Sequence, residues 1–169
     1  IPSDFRGGPP EIKGCALNWT LHEPSNEILA FIKLNKAKNY EEFKRGISFY
    51  KCPSQNFSYA DVKGNIAIHH QGKIRKLRWK NHGKFIMDGT RSDQFSTEAL
   101  DAQLPYSFNP TQGYVLSANN NPYAINGSTL TFGYYAELRA NKIDSYLSNK
   151  AKLSIGDMKS MQLDNTNSL

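Results

Sequence analysis

Cysteine is scarce: Cys15 and Cys52 are the two in 169 residues. A structural zinc site needs four ligands at close spacing, so such a site and a disulfide framework are both excluded. One disulfide would be open to an extracytoplasmic protein. Two reduced, buried thiols are the expectation, because both cysteines flank expected strands and neither belongs to a Cys-x-x-Cys pair. No run of eighteen apolar residues occurs, which excludes a membrane-spanning helix. The opening Ile1-Pro2-Ser3-Asp4 lacks the basic and apolar stretches of a signal peptide. Gly-x-Ser-x-Gly, a phosphate-cradling glycine loop and His-Glu-x-x-His are absent too.

What is present suffices for one domain over residues 1–169. Hydrophobic residues make up 38% and aromatic residues 12%, enough apolar surface to exclude wholesale disorder. Lys and Arg exceed Asp and Glu by 21 to 15, a net +6 that would suit an acidic partner. The excess is concentrated at Lys73, Arg75, Lys76, Arg78, Lys80 and Lys84, interleaved with Ile74, Leu77 and Trp79. A nucleic-acid surface needs such charges on one face with aromatics free to stack. The plainer reading is preferred: solvated charges around apolar residues that pack inward, and no nucleic acid as partner. His69 and His70 are adjacent, so in a strand their rings point to opposite faces and cannot share a metal. Asp88 and Asp93 would be an acid/base pair only if the fold joined them. The sequons at Asn18, Asn56 and Asn126 are what chance gives in an asparagine-rich chain.

Alternation of Cys15, Leu17 and Trp19 predicts a half-buried strand over Gly14–Thr20. Pro24-Ser25 starts a helix over 26–37, with Ile28, Phe31 and Ile32 at helical spacing. Asn39 caps a second helix over 40–50, with Glu41 and Glu42 in its first turn and Phe43, Ile47 and Tyr50 as its stripe. Gln55–Asp61 and Ile66–Gln71 flank the turn residues Val62-Lys63-Gly64-Asn65, a β-hairpin. Phe85–Thr90 reads as extended, 91–112 as loop, and Tyr114–Ser117 as a short strand before Asn119-Asn120-Asn121-Pro122. Helices follow over 134–148 and from Ile155 to about Asp164, the latter opened by a Ser154–Asp157 capping box. The mixed order predicts an α+β fold with antiparallel strands and flanking helices.

Several strings occur in a telling order. Ala16-Leu17-Asn18-Trp19-Thr20 and Asn35-Lys36-Ala37-Lys38-Asn39-Tyr40-Glu41-Glu42-Phe43 precede Gln55-Asn56-Phe57-Ser58-Tyr59-Ala60-Asp61-Val62-Lys63-Gly64-Asn65-Ile66. Asn109-Pro110-Thr111-Gln112-Gly113-Tyr114-Val115, Ala118-Asn119-Asn120 and Pro122 come next, then Arg139, Ile143-Asp144 and Leu147. In this sequence the chain resembles, from about Gly14 onward, an internal part of the β-subunit of the penicillin acylase family of N-terminal-nucleophile hydrolases.

The resemblance implies a piece of that family's α/β/β/α sandwich and a parent enzyme that hydrolyses an acyl amide, in antibiotic metabolism or a related reaction. The family's nucleophile is a serine at the start of the β-subunit, whose own α-amine serves as base. That serine is not in this chain: Ile1 offers an amine but no hydroxyl, and by resemblance it lies well past the nucleophile. Asn119 matches the side chain that stabilises the acyl-oxygen charge, and Arg139 matches the arginine that supports it. The proline that usually follows the hairpin is missing from Gly72-Lys73-Ile74-Arg75-Lys76-Leu77. No metal or cofactor is assigned; calcium is bound by some members, and Asn126 stands where an aspartate ligand would be expected. The implied partners are the remainder of the α- and β-subunits and a small acyl amide, and the implied location is periplasmic. The competing class is a non-catalytic binding or structural module that keeps the acylase fold. Ser25 and Ser154 are expected to cap helices rather than to act as nucleophiles.

Overall fold

The computed structural model describes residues 16–74, 88–91, 104–121, 137–150 and 152–166. Helix α1 (Glu27–Lys36) begins where the sequence predicts, but its cap is Asn26, whose Oδ1 accepts from the Leu29 N–H at 3.1 Å. Ser25 instead donates its hydroxyl to Glu27 Oε2 at 2.9 Å. Glu27 Oε1 accepts from the N–H groups of Lys51 and Cys52 at 3.1 and 3.0 Å, so the first turn of α1 grips the segment after the second helix. These bonds, the Ser25 hydroxyl foremost, hold the Glu27 carboxyl below its ordinary range.

Helix α2 (Tyr40–Ile47) is capped by Asn39, whose Oδ1 accepts from the Glu42 N–H at 2.9 Å. Glu42 Oε2 reaches back to the Lys38 N–H at 2.9 Å, satisfying a second donor at the same end. The helix ends at Ile47 rather than Tyr50, yet the expected stripe is buried: Phe43, Ile47 and Tyr50 are 6%, 2% and 3% exposed. Gly46 lets α1 approach, since a Cβ there would lie 3.2 Å from Leu34 Cδ2.

Strands β1 (Gln55–Ala60) and β2 (Ile66–Gln71) form the predicted antiparallel hairpin, with Ser58 opposite Ile68 and Tyr59 opposite Ala67. Asp61 builds the turn. Its Oδ1 accepts from the N–H groups of Lys63 and Asn65 at 2.9 and 3.0 Å, and its Oδ2 from Tyr59 Oη and Asn65 Nδ2 at 2.9 and 2.8 Å. Gly64 takes φ +85°, which a Cβ would resist. Hydrogen bonds to the carboxylate, those of Asn65 first, depress the Asp61 pKa to about 2.

A third strand, β3 (Tyr106–Phe108), pairs antiparallel with β2, His69 opposite Tyr106 and Ala67 opposite Phe108. These residues lie within 91–112, which the sequence predicts as loop and which Pro105 and Pro110 punctuate. Neither proline interrupts the ladder: the Pro105 carbonyl accepts from the His70 N–H, and the Asn109 N–H donates to the Ile66 carbonyl, both at 2.9 Å. Phe57, Tyr59, His69 and Phe108 share one face of the sheet; Asn56, Ser58, Ile68 and His70 share the other. Helix α2 covers the first face, with ring centroids 5.0 Å apart for Phe43–Tyr59 and 4.1 Å for Tyr40–Phe108.

Two expected strands are not strands. Residues 16–19 are irregular and lead into a single 3-10 turn, Thr20–His22, leaving Leu17 and Trp19 exposed. Residues 114–117 are likewise irregular. Alternation marks a strand only where another strand pairs with it, and neither stretch has a ladder partner among the described residues. Asp88–Thr90 forms a turn, and 85–87 lie outside the described residues, as do Gly14 and Cys15. Cys52 is buried and free, its Sγ 2.9 Å from Thr20 Oγ1. Of the basic cluster Lys73 is described, and it pairs with Glu23; the cluster from Arg75 to Lys84 lies outside. Helix α3 (Leu138–Ser148) and helix α4 (Ile155–Leu163) complete the described chain, α4 opened by the predicted Ser154–Asp157 capping box. Residues 134–136 lie outside the described residues. The fold is α+β.

Candidate active site

The site is assembled on the sheet face away from α2 by the segment after β3. Asn109, at φ +46°, accepts through Oδ1 from the Ile66 N–H at 2.9 Å, and its Nδ2 donates to Asn65 Oδ1 at 2.9 Å. Its side chain thus ties the end of β3 to the hairpin turn. The chain then reverses through Pro110–Gly113, closed by the Gly113 N–H to the Pro110 carbonyl at 2.9 Å, with Gly113 at φ +78°. Tyr114 follows, and its hydroxyl donates to Asp144 Oδ1 on α3 at 2.6 Å. That bond raises the Tyr114 pKa, because it favours the protonated phenol. Ser117 then takes a hydrogen bond on Oγ from Asn56 Nδ2 at 2.6 Å.

Asn119 comes next, at φ +61°, a left-handed conformation that asparagine tolerates better than most side chains. The Ala118 N–H before it donates to Asn120 Oδ1 at 3.1 Å, and Ala118 is buried at 6% exposure. Asn119 itself is exposed. Its Oδ1 accepts from Arg139 Nη2 in the first turn of α3 at 2.6 Å. The two residues singled out in the sequence therefore meet directly. The guanidinium can only donate, so this contact fixes the amide: Oδ1 faces Arg139 and Nδ2 carries its two N–H groups away from it. A charge on the acceptor side also polarises the amide and strengthens it as a donor.

The remaining candidates do not converge there. His69 and His70 lie on opposite faces, as their adjacency requires: His69 Nε2 meets Tyr40 Oη at 2.6 Å, and His70 Nδ1 meets Asn56 Oδ1 at 2.9 Å. Burial lowers the pKa of both rings. Asp88 folds back on Thr90, accepting from its N–H and hydroxyl at 2.9 and 2.7 Å, which holds its pKa low and unsuited to a general acid. Asp93 lies outside the described residues. Ser154 is a cap, whereas Ser25 is not. Ser117 is joined to His70 through the Asn56 amide, which cannot relay a proton, so this serine is not activated. An open groove of about 1020 Å³ lies elsewhere, lined by Tyr40, Lys44, His69 and Tyr106, and includes neither Asn119 nor Arg139. Among the described residues no three His, Cys, Asp or Glu side chains form a metal-binding group. The supporting roles of Asn56, Tyr114, Ser117 and Asp144 were not read from the sequence. Three of them sit in the strings quoted above, but the strings do not say which partners they meet.

Comparison with known proteins bears on the family and the fold. The family model described as penicillin amidase matches residues 3–169. Penicillin G acylase of Escherichia coli is 26% identical over 129 residues, which are 75% of this chain and 15% of that protein. The solved structure of a thermostable penicillin G acylase from Alcaligenes faecalis in orthorhombic form superposes with a TM-score of 0.64 at 26% identity, over 80% of this chain and 24% of that one. The chain thus spans a small part of the relatives it matches, and it belongs to the penicillin amidase family.

Proposed function

We propose that this chain is an internal part of an acylase-type amide hydrolase, in which Asn119 donates to the acyl oxygen and Arg139 orients it. The observation that carries the reading is the 2.6 Å bond from Arg139 Nη2 to Asn119 Oδ1. An oxyanion donor must present an N–H whose direction is set before the charge forms, because reorganisation at that moment costs rate. The arginine supplies that setting. Attack by a serine hydroxyl on the substrate carbonyl would open the C=O bond and place a negative charge on oxygen. Asn119 Nδ2–H would donate to that oxygen. Collapse would then expel the amine, which takes up the proton removed from the serine, and water would release the acid.

The nucleophile of this scheme is a serine outside the chain, with its own α-amine as base. The substrate class is an acyl amide; the pocket that selects its acyl chain is built by other parts of the parent. Partners are the remaining α- and β-subunit segments, and the compartment is periplasmic. The scheme requires no metal or cofactor from these residues. The chain alone should hydrolyse nothing, because it would stabilise a charge that never forms. The test is to assay the purified chain beside its full-length parent against a chromogenic phenylacetyl amide and a long-chain acyl-homoserine lactone. Turnover by the parent alone is expected. Turnover by the chain that scales with its concentration and survives Asn119→Ala contradicts the reading, and turnover by neither supports a non-catalytic module.

A further inference from the structure

The bond from Arg139 fixes the direction of the Asn119 amide, but it does not fix where the Asn119 backbone stands. Asn119 is exposed and left-handed, in a stretch with no ladder hydrogen bonds. Its hold on the sheet lies two residues earlier. Asn56 on β1 and His70 on β2 are directly opposed in the register and project from the same face. Both ends of the Asn56 amide are engaged. Oδ1 lies 2.9 Å from His70 Nδ1, and Nδ2 donates to Ser117 Oγ at 2.6 Å. With Oδ1 accepting, His70 carries its proton on Nδ1, and the Asn56 amide bridges the ring of one strand to the Ser117 hydroxyl.

Resting on the function proposed above, we infer that Asn56 and His70 form a positioning strut that holds the Asn119 turn at the reacting centre through Ser117. The strut and the arginine do different work: one fixes the turn against the sheet, the other rotates the amide within it. Such a role touches no substrate atom. It acts on the distance between Asn119 Nδ2 and the developing oxyanion, a contact that is productive only over a few tenths of an ångström.

The test uses the full-length parent enzyme and reads kcat and KM separately, normalised to active sites titrated with a sulfonyl fluoride. Ser117 is exposed, so Ser117→Ala should fold where Asn56→Ala is harsher. Ser117→Ala should lower kcat about tenfold with KM within about twofold, since misplacement of a catalytic group costs rate rather than binding. Ser117→Thr keeps the hydroxyl and should return kcat to within about threefold of the parent. In an Asn119→Gly background Ser117→Ala should cost nothing further, because its effect runs through Asn119. Unchanged kcat in Ser117→Ala beside a defective Asn119→Gly would overturn the strut alone, as would an undiminished effect of Ser117→Ala in the Asn119→Gly background. Unchanged kcat in Asn119→Gly would overturn the oxyanion reading and the strut with it.

Discussion

Arg139 and Asn119 are separated by twenty residues of chain and joined by one hydrogen bond, Nη2 to Oδ1 at 2.6 Å. The guanidinium is planar and forked, which lets it hold a carbonyl-type oxygen in a fixed direction. Arg139→Ala should leave the Asn119 amide free to rotate and lower kcat of the full-length enzyme by roughly tenfold or more, with KM little changed. Arg139→Lys keeps the charge and loses the fork, so it should fall between the two. A parallel rise in KM with constant kcat would mean that the arginine binds substrate instead.

The hairpin turn should respond to acid. Hydrogen bonds hold the folded Asp61 pKa at about 2, against 3.8 for an unperturbed aspartate. A carboxylate with a depressed folded pKa contributes stability that is fully present above the unfolded value and is lost as pH falls through the folded one. The contribution of Asp61 should therefore fade between 3.8 and about 2. Asp61→Asn keeps Oδ1 for the Lys63 and Asn65 N–H groups but puts an N–H donor where Oδ2 accepts from Tyr59 Oη and Asn65 Nδ2, so it should be less stable than the parent at neutral pH. Urea midpoints measured for both proteins against pH should converge across that window. A constant gap would show that the carboxylate is not charged to any purpose in the turn.

The aromatic layer between α2 and the sheet should be where truncation costs most. Phe43 is 6% exposed, with its ring centroid 5.0 Å from that of Tyr59 and 5.9 Å from that of His69. Phe43→Ala should destabilise the domain by about 3–5 kcal/mol, the range for an aromatic deleted from a packed core. Ile47→Val removes one methylene from a site 2% exposed and should cost about 0.5–1.5 kcal/mol. Both are read as shifts in denaturation midpoint. A loss below about 1 kcal/mol for Phe43→Ala would mean that the layer is not the core of this unit.

The elements legible in the sequence were those specified by local chemistry. Asn39 with Glu42 and Ser154 with Asp157 each place a polar side chain against nearby backbone donors, and Val62 to Asn65 carry turn residues, so neighbours in sequence suffice to reveal them. Asp61, expected to end the strand, is nevertheless the residue that builds the turn. β3 depends on β2 for its hydrogen bonds, and its bracketing prolines read as breaks until the pairing is seen. Leu17 and Trp19 erred the other way, since alternation promised a strand that has no partner among the described residues. The site divided in the same manner. Asn119 and Arg139 could be named from the strings around them, but their contact spans a turn and a helix start. The link from His70 through Asn56 to Ser117 joins three separate segments, and no periodicity encodes it.

The central claim is that Asn119 stabilises charge in the transition state, and its side chain and backbone can be tested apart. Ala at φ +61° is strained as well as truncated, whereas Gly accepts that conformation. Asn119→Ala and Asn119→Gly in the full-length enzyme should differ in thermal stability and agree in kinetics, each lowering kcat by about 10²–10³ with KM nearly constant. The decisive measurement is kcat of Asn119→Gly on an acyl amide that the parent hydrolyses, per titrated active site. A fall of two orders of magnitude or more is the predicted result. A kcat within about threefold of the parent would contradict the account and leave Asn119 as a turn residue.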